Sequence, residues 1–214
     1  MRLYDYAASG NCFKVRLLLG QLGRDYERVP VDIFDGDTLT DEFRALNPFR
    51  STPVLELGDG RTLIESNAIL WYLAAGTSFL PDDPYGQAEV CRWLLYEQTD
   101  VMYAIGGLRF RLVTGRFAPD SEPARERHRH ALEVLAALDA HLAAREFLAA
   151  GRYTIADIAV YAYAHLAGEI DIDTSGCPAF EAWLRRVEAQ PGFVDDLKPY
   201  PPNASELAGR SIYG

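Results

Sequence analysis

Thr52-Pro53-Val54-Leu55-Glu56-Leu57, then Gly58-Asp59-Gly60, then Arg61-Thr62-Leu63-Ile64-Glu65-Ser66-Asn67 is the stretch that decides the fold. It spells a strand, a tight turn, a second strand and the start of a helix. Asp-Gly between two apolar runs signals a hairpin, because both residues tolerate positive φ. Proline opens the first strand, where a missing N–H costs least. Glu65 and Ser66 close the second strand where the helix begins. An acid and a hydroxyl at a helix N-terminus can hold a ligand that carries both an amine and a carboxylate.

Outward from the hairpin, residues 1–76 read as β-α-β-α-β-β-α. The first strand is Leu3 to Tyr6. A helix from about Asn11 to Leu22 follows, with Val15, Leu18, Leu19 and Leu22 at helical spacing and Gly23 as its stop. The second strand is about Glu27 to Asp32, and Asp41 to Leu46 forms a short helix ended by Asn47-Pro48. The helix after the hairpin spans Ser66 to Ala75. Residues 77–86 hold Pro81, Asp82, Asp83 and Pro84 and read as a linker. Residues 87–214 are helical throughout. Gln87 to Gly115 is one long helix kinked at Gly106-Gly107, and further helices start at Ser121, Tyr153 and Cys177-Pro178. Thr154 and Asp157 have capping-box spacing, worth on the order of 1 kcal/mol.

Composition bounds the function. The chain has 214 residues, 49% hydrophobic and 24% charged, which suits one or two globular domains. No run is long and apolar enough for a membrane helix, and the opening lacks the pattern of a signal peptide, so a cytoplasmic protein with no membrane partner is expected. A net charge of −10 argues against nucleic acid, since the arginines between Arg109 and Arg129 are interleaved with Asp120, Glu122 and Glu126. Cys12, Cys91 and Cys177 are odd in number and far apart, which suits reduced thiols. No metal is expected: His128 and His130 are two apart on a helix and face different ways, and no zinc spacing, P-loop or dinucleotide loop occurs.

The hairpin and the first sixteen residues resemble the soluble glutathione S-transferases, whose N-terminal domain has a thioredoxin-like fold. Thr52-Pro53 stands at the family's Val-Pro position and Glu65-Ser66 at its Glu-Ser pair. Gly151-Arg152-Tyr153-Thr154-Ile155-Ala156-Asp157 is similar to the family's capping box in the helical domain, and Gln190-Pro191-Gly192-Phe193 to its next turn. The resemblance covers about residues 1 to 195. It implies an α/β thioredoxin-like domain over 1–76, an all-α domain over 87–214, glutathione as co-substrate, a small hydrophobic electrophile as second substrate, and a homodimer.

It also implies roles. Ser9 lies between the first strand and helix, where serine-type members place the hydroxyl that donates to the glutathione sulfur. By spacing alone Ser9 is simply a helix cap. Asn11 is a second candidate donor. Cys12 stands where a helix start would lower a thiol pKa, against the plainer reading of a packed side chain. Pro53 is expected to be cis and to aim the Val54 backbone at the ligand, which would pair with it as an added strand. Glu65 and Ser66 would hold the γ-glutamyl amine and carboxylate. Arg50 and Ser51 replace the family's Gly-Lys or Gly-Gln, so Arg50 is the candidate for the glycyl carboxylate. Tyr103 and Phe110, at helical spacing, are the candidate second-substrate wall, or else an ordinary core stripe. Attack of the bound thiolate on an electrophile is the expected reaction. Glutathione-dependent disulfide or peroxide reduction and a non-catalytic binding module are the alternatives.

Overall fold

The computed structural model describes residues 1–201 and Ala204. The remaining positions of the sequence-assigned helical domain, 202–203 and 205–214, lie outside the described residues. Strands β1 (Arg2–Asp5), β2 (Glu27–Pro30), β3 (Val54–Glu56) and β4 (Thr62–Ile64) form one sheet in the order β2-β1-β3-β4. β2 runs parallel to β1, while β1–β3 and β3–β4 are antiparallel. The parallel pair needs a crossover, supplied by helix α1 (Gly10–Gln21). Gly23, at φ 60°, lets the chain turn back afterwards. The hairpin closes through the Leu57 N–H to Arg61 C=O bond at 2.8 Å, with Gly60 at φ 84°.

Period-two alternation divides the sheet residues between two cores. Leu3, Leu55 and Leu63 face the main core with α1 and α3 (Ser66–Ala74). Tyr4, Val54 and Ile64 face Phe43 of α2 (Asp41–Leu46) and Val31. The thioredoxin-like β/α fold expected from the hairpin is therefore present, followed, among the described residues, by helices and no further strand. α4 (Pro84–Tyr96), α5 (Gly107–Val113), α6 (Glu122–Leu142), α7 (Ile155–Ala164) and α8 (Pro178–Glu188) make up the second part. Every residue of α7 is buried, so it is the central post of the molecule.

The expected kink at Gly106-Gly107 takes another form. Between α4 and α5 the helix is π-wound over Glu97–Gly106, and it returns to α geometry at Gly107. Each π turn closes one residue later than an α turn, so side chains beyond it are rotated from their α positions. Gly106 has a packing reason. A Cβ there would lie 2.4 Å from Cδ1 of Tyr163, and one at Gly10 would lie 2.6 Å from Cε1 of the same ring. Tyr163 of α7 is thus wedged between the start of α1 and the π segment.

Charge ties the last described residues to the sheet. Arg16 of α1, wholly buried, pairs with Asp5 at 2.5 Å and with Asp196 at 2.7 Å, and Arg28 pairs with the same two acids. The Lys198 N–H donates to the Ala7 C=O at 3.1 Å. Residues 193–200 therefore run back across the thioredoxin-like part.

Asp157 does more than cap. Its Oδ2 accepts from the Thr154 N–H at 2.9 Å, while its Oδ1 accepts from the Leu148 N–H and from Trp183 Nε1–H, both at 2.9 Å. Burial pushes its pKa up to about 6, against the pull of these donors. A folded value above the unfolded one means that this group's contribution to stability is complete below about pH 4 and declines as pH rises through about 6. Asp157→Ala strands three buried donors at about 1–3 kcal/mol each. We expect chemical denaturation to show a loss of at least ~3 kcal/mol, well above an isolated cap. A loss near 1 kcal/mol would mean that Asp157 serves only its own helix.

Candidate functional site

A cavity of about 300 Å³ lies where the two parts meet. On one side are Tyr6, Ser9, Asn11 and Thr52; on the other are Met102, Gly106, Gly107, Phe110 and Arg111, with Tyr163 and Tyr200 closing it. Ser9 is the N-cap of α1, and its Oγ accepts from the Cys12 N–H at 3.3 Å. The acceptor side of the hydroxyl is engaged, and its proton can be donated, with the neighbouring Cys12 sulfur as one acceptor within the protein. Tyr6 stays a neutral phenol, since burial raises its pKa.

The orientation of Asn11 is fixed from behind. Its Oδ1 accepts from Lys14 Nζ at 3.0 Å and from Ser66 Oγ at 3.1 Å. An ammonium only donates, so the oxygen must face Lys14 and the Nδ2 hydrogens must point elsewhere. Lys14 is wholly buried and pairs with the equally buried Glu97 at 2.7 Å. Burial lowers the Lys14 pKa, and the Glu97 charge opposes that shift. Asn67 Nδ2 and Gln98 Nε2 also donate to Glu97 Oε2, at 2.9 and 2.8 Å. Lys14 and Glu97 were missed by the sequence reading. The one local signal was position: Lys14 lies three and four before Leu17 and Leu18, which are core residues.

Cys12 is buried, its Sγ accepts from the Tyr6 N–H at 3.4 Å, and burial pushes its pKa up to about 11. The helix start does not make it a thiolate.

Two expectations need correction. Val54 has Tyr4 of β1 on one side and Ile64 of β4 on the other. Its backbone is directed within the sheet, so no strand can be added at Val54. The peptide bond before Pro53 is cis, and the residue that faces the cavity is Thr52, whose N–H and C=O make no hydrogen bond among the described residues. Tyr103 is not in the cavity. It is 43% exposed beneath the Arg127 guanidinium, 3.7 Å from the ring centroid, beside a surface groove with Thr99 and His130. The π winding puts Met102 and Gly106 on the cavity face and turns Tyr103 aside, whereas Phe110 does line the cavity.

Other predicted residues lie around the rim. Glu65, at φ 67°, precedes α3 with an exposed side chain that makes no cap bond. Ser66 is buried and reaches the cavity through Asn11. Arg50, at φ 56°, donates its N–H to the Asn47 C=O at 2.9 Å and does not line the cavity. His130 faces Asp100 at 3.1 Å and Glu133 at 3.5 Å. Among the described residues no His, Cys, Asp and Glu cluster is suited to a metal.

Comparison with known proteins follows the same division. Residues 8–75 match the glutathione S-transferase N-terminal domain and residues 101–191 the C-terminal domain. The chain is 32% identical to glutathione S-transferase 3 of Zea mays, over 97% of this chain and 99% of that protein. It is 34% identical to a maleylacetoacetate isomerase of Rhizobium meliloti, over 86% and 89%. The crystal structure of a glutathione S-transferase from Pseudomonas fluorescens superposes with a TM-score of 0.88 at 39% identity, covering 92% of this chain and 98% of that one. A glutathione transferase family member from Pseudomonas fluorescens with two glutathione bound superposes with a TM-score of 0.79 at 28% identity, covering 89% of each. The chain belongs to the glutathione S-transferase family.

Proposed function

We propose that the protein is a serine-type glutathione transferase in which the bound glutathione thiolate attacks a small electrophile. The observation that carries this reading is the pairing of the Ser9 hydroxyl with the Asn11 amide at one helix start, both lining the cavity. The chemistry needs a thiolate. Lowering a thiol pKa of about 8.5 by two units takes roughly 2.7 kcal/mol. A helix N-terminus gives up to about 2 kcal/mol and a charge-assisted hydrogen bond about 1.5–3. Two donors and a helix start suffice without a general base.

In this reading Thr52 offers its backbone to the cysteinyl amide, in place of Val54. Glu65 takes the γ-glutamyl amine, Ser66 and the start of α3 its carboxylate, and Arg50 the glycyl carboxylate. The largely aromatic wall of Phe110, Tyr163 and Tyr200 favours an electrophile over the reductase alternatives, and a buried Cys12 argues against cysteine-type thiol transfer. A non-catalytic module would have no need of donors arranged in this way. The free cysteines suit a reducing, cytoplasmic setting. No described helix is long and apolar enough to cross a membrane. Exposed Phe49 and Leu95 offer apolar surface to a second copy in a homodimer; light scattering that gave a monomer would remove that part of the reading.

Titration of thiolate absorbance tests the sulfur donors. We expect Ser9→Ala to raise the pKa of bound glutathione by about one to two units and Asn11→Ala by about one. If Ser9→Ala titrates like the parent, the serine assignment fails. Glu65→Gln should weaken glutathione binding about tenfold, as loss of one charge-assisted bond predicts; an unchanged Kd would place the amine elsewhere.

Cys12 gives a separate check. At pH 8 a thiol-specific reagent should label the exposed Cys91 in the folded protein and reach Cys12 only after denaturation. Rapid labelling of Cys12 in the native state, with loss of activity, would change the reaction class to cysteine-type thiol transfer.

A further inference from the structure

Two guanidinium groups meet at Gly107, and one of them, Arg111, lines the cavity. A Cβ at Gly107, a cavity residue, would lie 2.8 Å from one terminal nitrogen of Arg127 and 3.2 Å from one of Arg111. Both groups are held by uncharged partners. Arg111 donates to the Gly107 C=O at 3.1 Å and Arg127 to the Tyr103 C=O, and both lie over the Phe117 ring, at 5.5 and 5.8 Å. Among the described residues neither forms an ion pair, although the chain carries ten more acids than bases. Elsewhere Arg16, Arg28 and Arg109 each face a carboxylate. Burial and the Arg111 charge together lower the Arg127 pKa, with Tyr103 and Glu126 opposing. Two like charges held together with no carboxylate in ion-pair contact favour an incoming anion. Arginine's planar fork suits a carboxylate, which it can bind through two bonds.

We propose that the electrophile end of the cavity is an anion subsite, in which Arg111, backed by Arg127, receives the carboxylate of a planar, conjugated electrophile. The inference rests on the glutathione transferase reading and adds a substrate class to it. The rings of Phe110 and Tyr200, packed on each other with centroids 5.6 Å apart, make one aromatic wall of the cavity against which the planar body can lie. Arg111 is then a specificity residue. Its charge fixes which end of the electrophile faces away from Ser9, and so which carbon faces the sulfur.

The test uses 4-chloro-3-nitrobenzoate and its methyl ester. With either, the glutathione thiolate forms a C–S bond at the ring carbon that bears chlorine, and chloride leaves with the C–Cl electron pair. The thiol proton has already passed to solvent. Equilibrium binding of glutathione and of the two finished conjugates, S-(4-carboxy-2-nitrophenyl)glutathione and its methyl ester, is measured alongside turnover. We expect the parent to bind the acid conjugate at least tenfold more tightly than the ester conjugate. Arg111→Gln should reduce that acid-to-ester ratio tenfold or more, and Arg127→Gln by a smaller factor in the same direction. Each rate is compared with its uncatalysed rate, because the ester ring is intrinsically more reactive. If glutathione binds and the two conjugates bind alike, or if Arg111→Gln leaves the ratio unchanged, this inference is overturned and the transferase reading stands. If glutathione itself does not bind, the transferase reading falls, and the inference with it.

Discussion

Lys14 and Glu97 hold opposite charges 2.7 Å apart with neither exposed to water. One belongs to the first helix and the other opens the π segment of the second part, so the pair spans the junction that forms the cavity. Such pairs contribute little net stability, because desolvation offsets most of their attraction. Their effect is to penalise every other arrangement. A shift of the two parts would leave a buried charge without its partner, at about 3–5 kcal/mol. The same ammonium turns the Asn11 amide and contacts the Ser66 hydroxyl at 3.4 Å. Domain placement and the orientation of the site's polar groups thus depend on one cation.

A second charged cluster is built on Arg16, two residues along α1 from Lys14. Asp5, Arg16, Arg28 and Asp196 share their bonds, and Arg16 also donates to the Ala7 C=O at 3.2 Å. Ala7 is two residues before Ser9. The backbone that leads into the α1 cap is therefore held from both sides before any ligand arrives, which is the condition for a donor to act without reorganising.

The thioredoxin-like fold was legible because its signals are local. Asp59-Gly60 between alternating runs, Gly23 after a periodic helix, and Thr154 with Asp157 each state their structure within a few residues. Ser9, Asn11 and Phe110, singled out from the same kind of local signal, line one cavity. Val54 was misassigned because strand order, which puts β4 on its free side, is not a local property. Tyr103 departs from the helical spacing that pairs it with Phe110 because ten residues of π winding change which side chains share a face. Lys14 looked like one more cation in a helix. Only the approach of α3 and the π segment makes it a buried one.

Tyr163 carries a consequence for how this molecule can change. Its ring is the spacer that sets the width of the seam, and the residues on either side, Gly10 and Gly106, have no side chain to give up. The gap is already at its minimum, and widening it by one methyl group would drive apart helices that a buried ion pair holds in register. Variation among descendants of this sequence is therefore channelled. The back of the cavity has no freedom to drift, while the Phe110 and Arg111 wall, one helical turn away and partly open to water, can be rewritten residue by residue. One aromatic ring divides the site into an inherited half and an adaptable one.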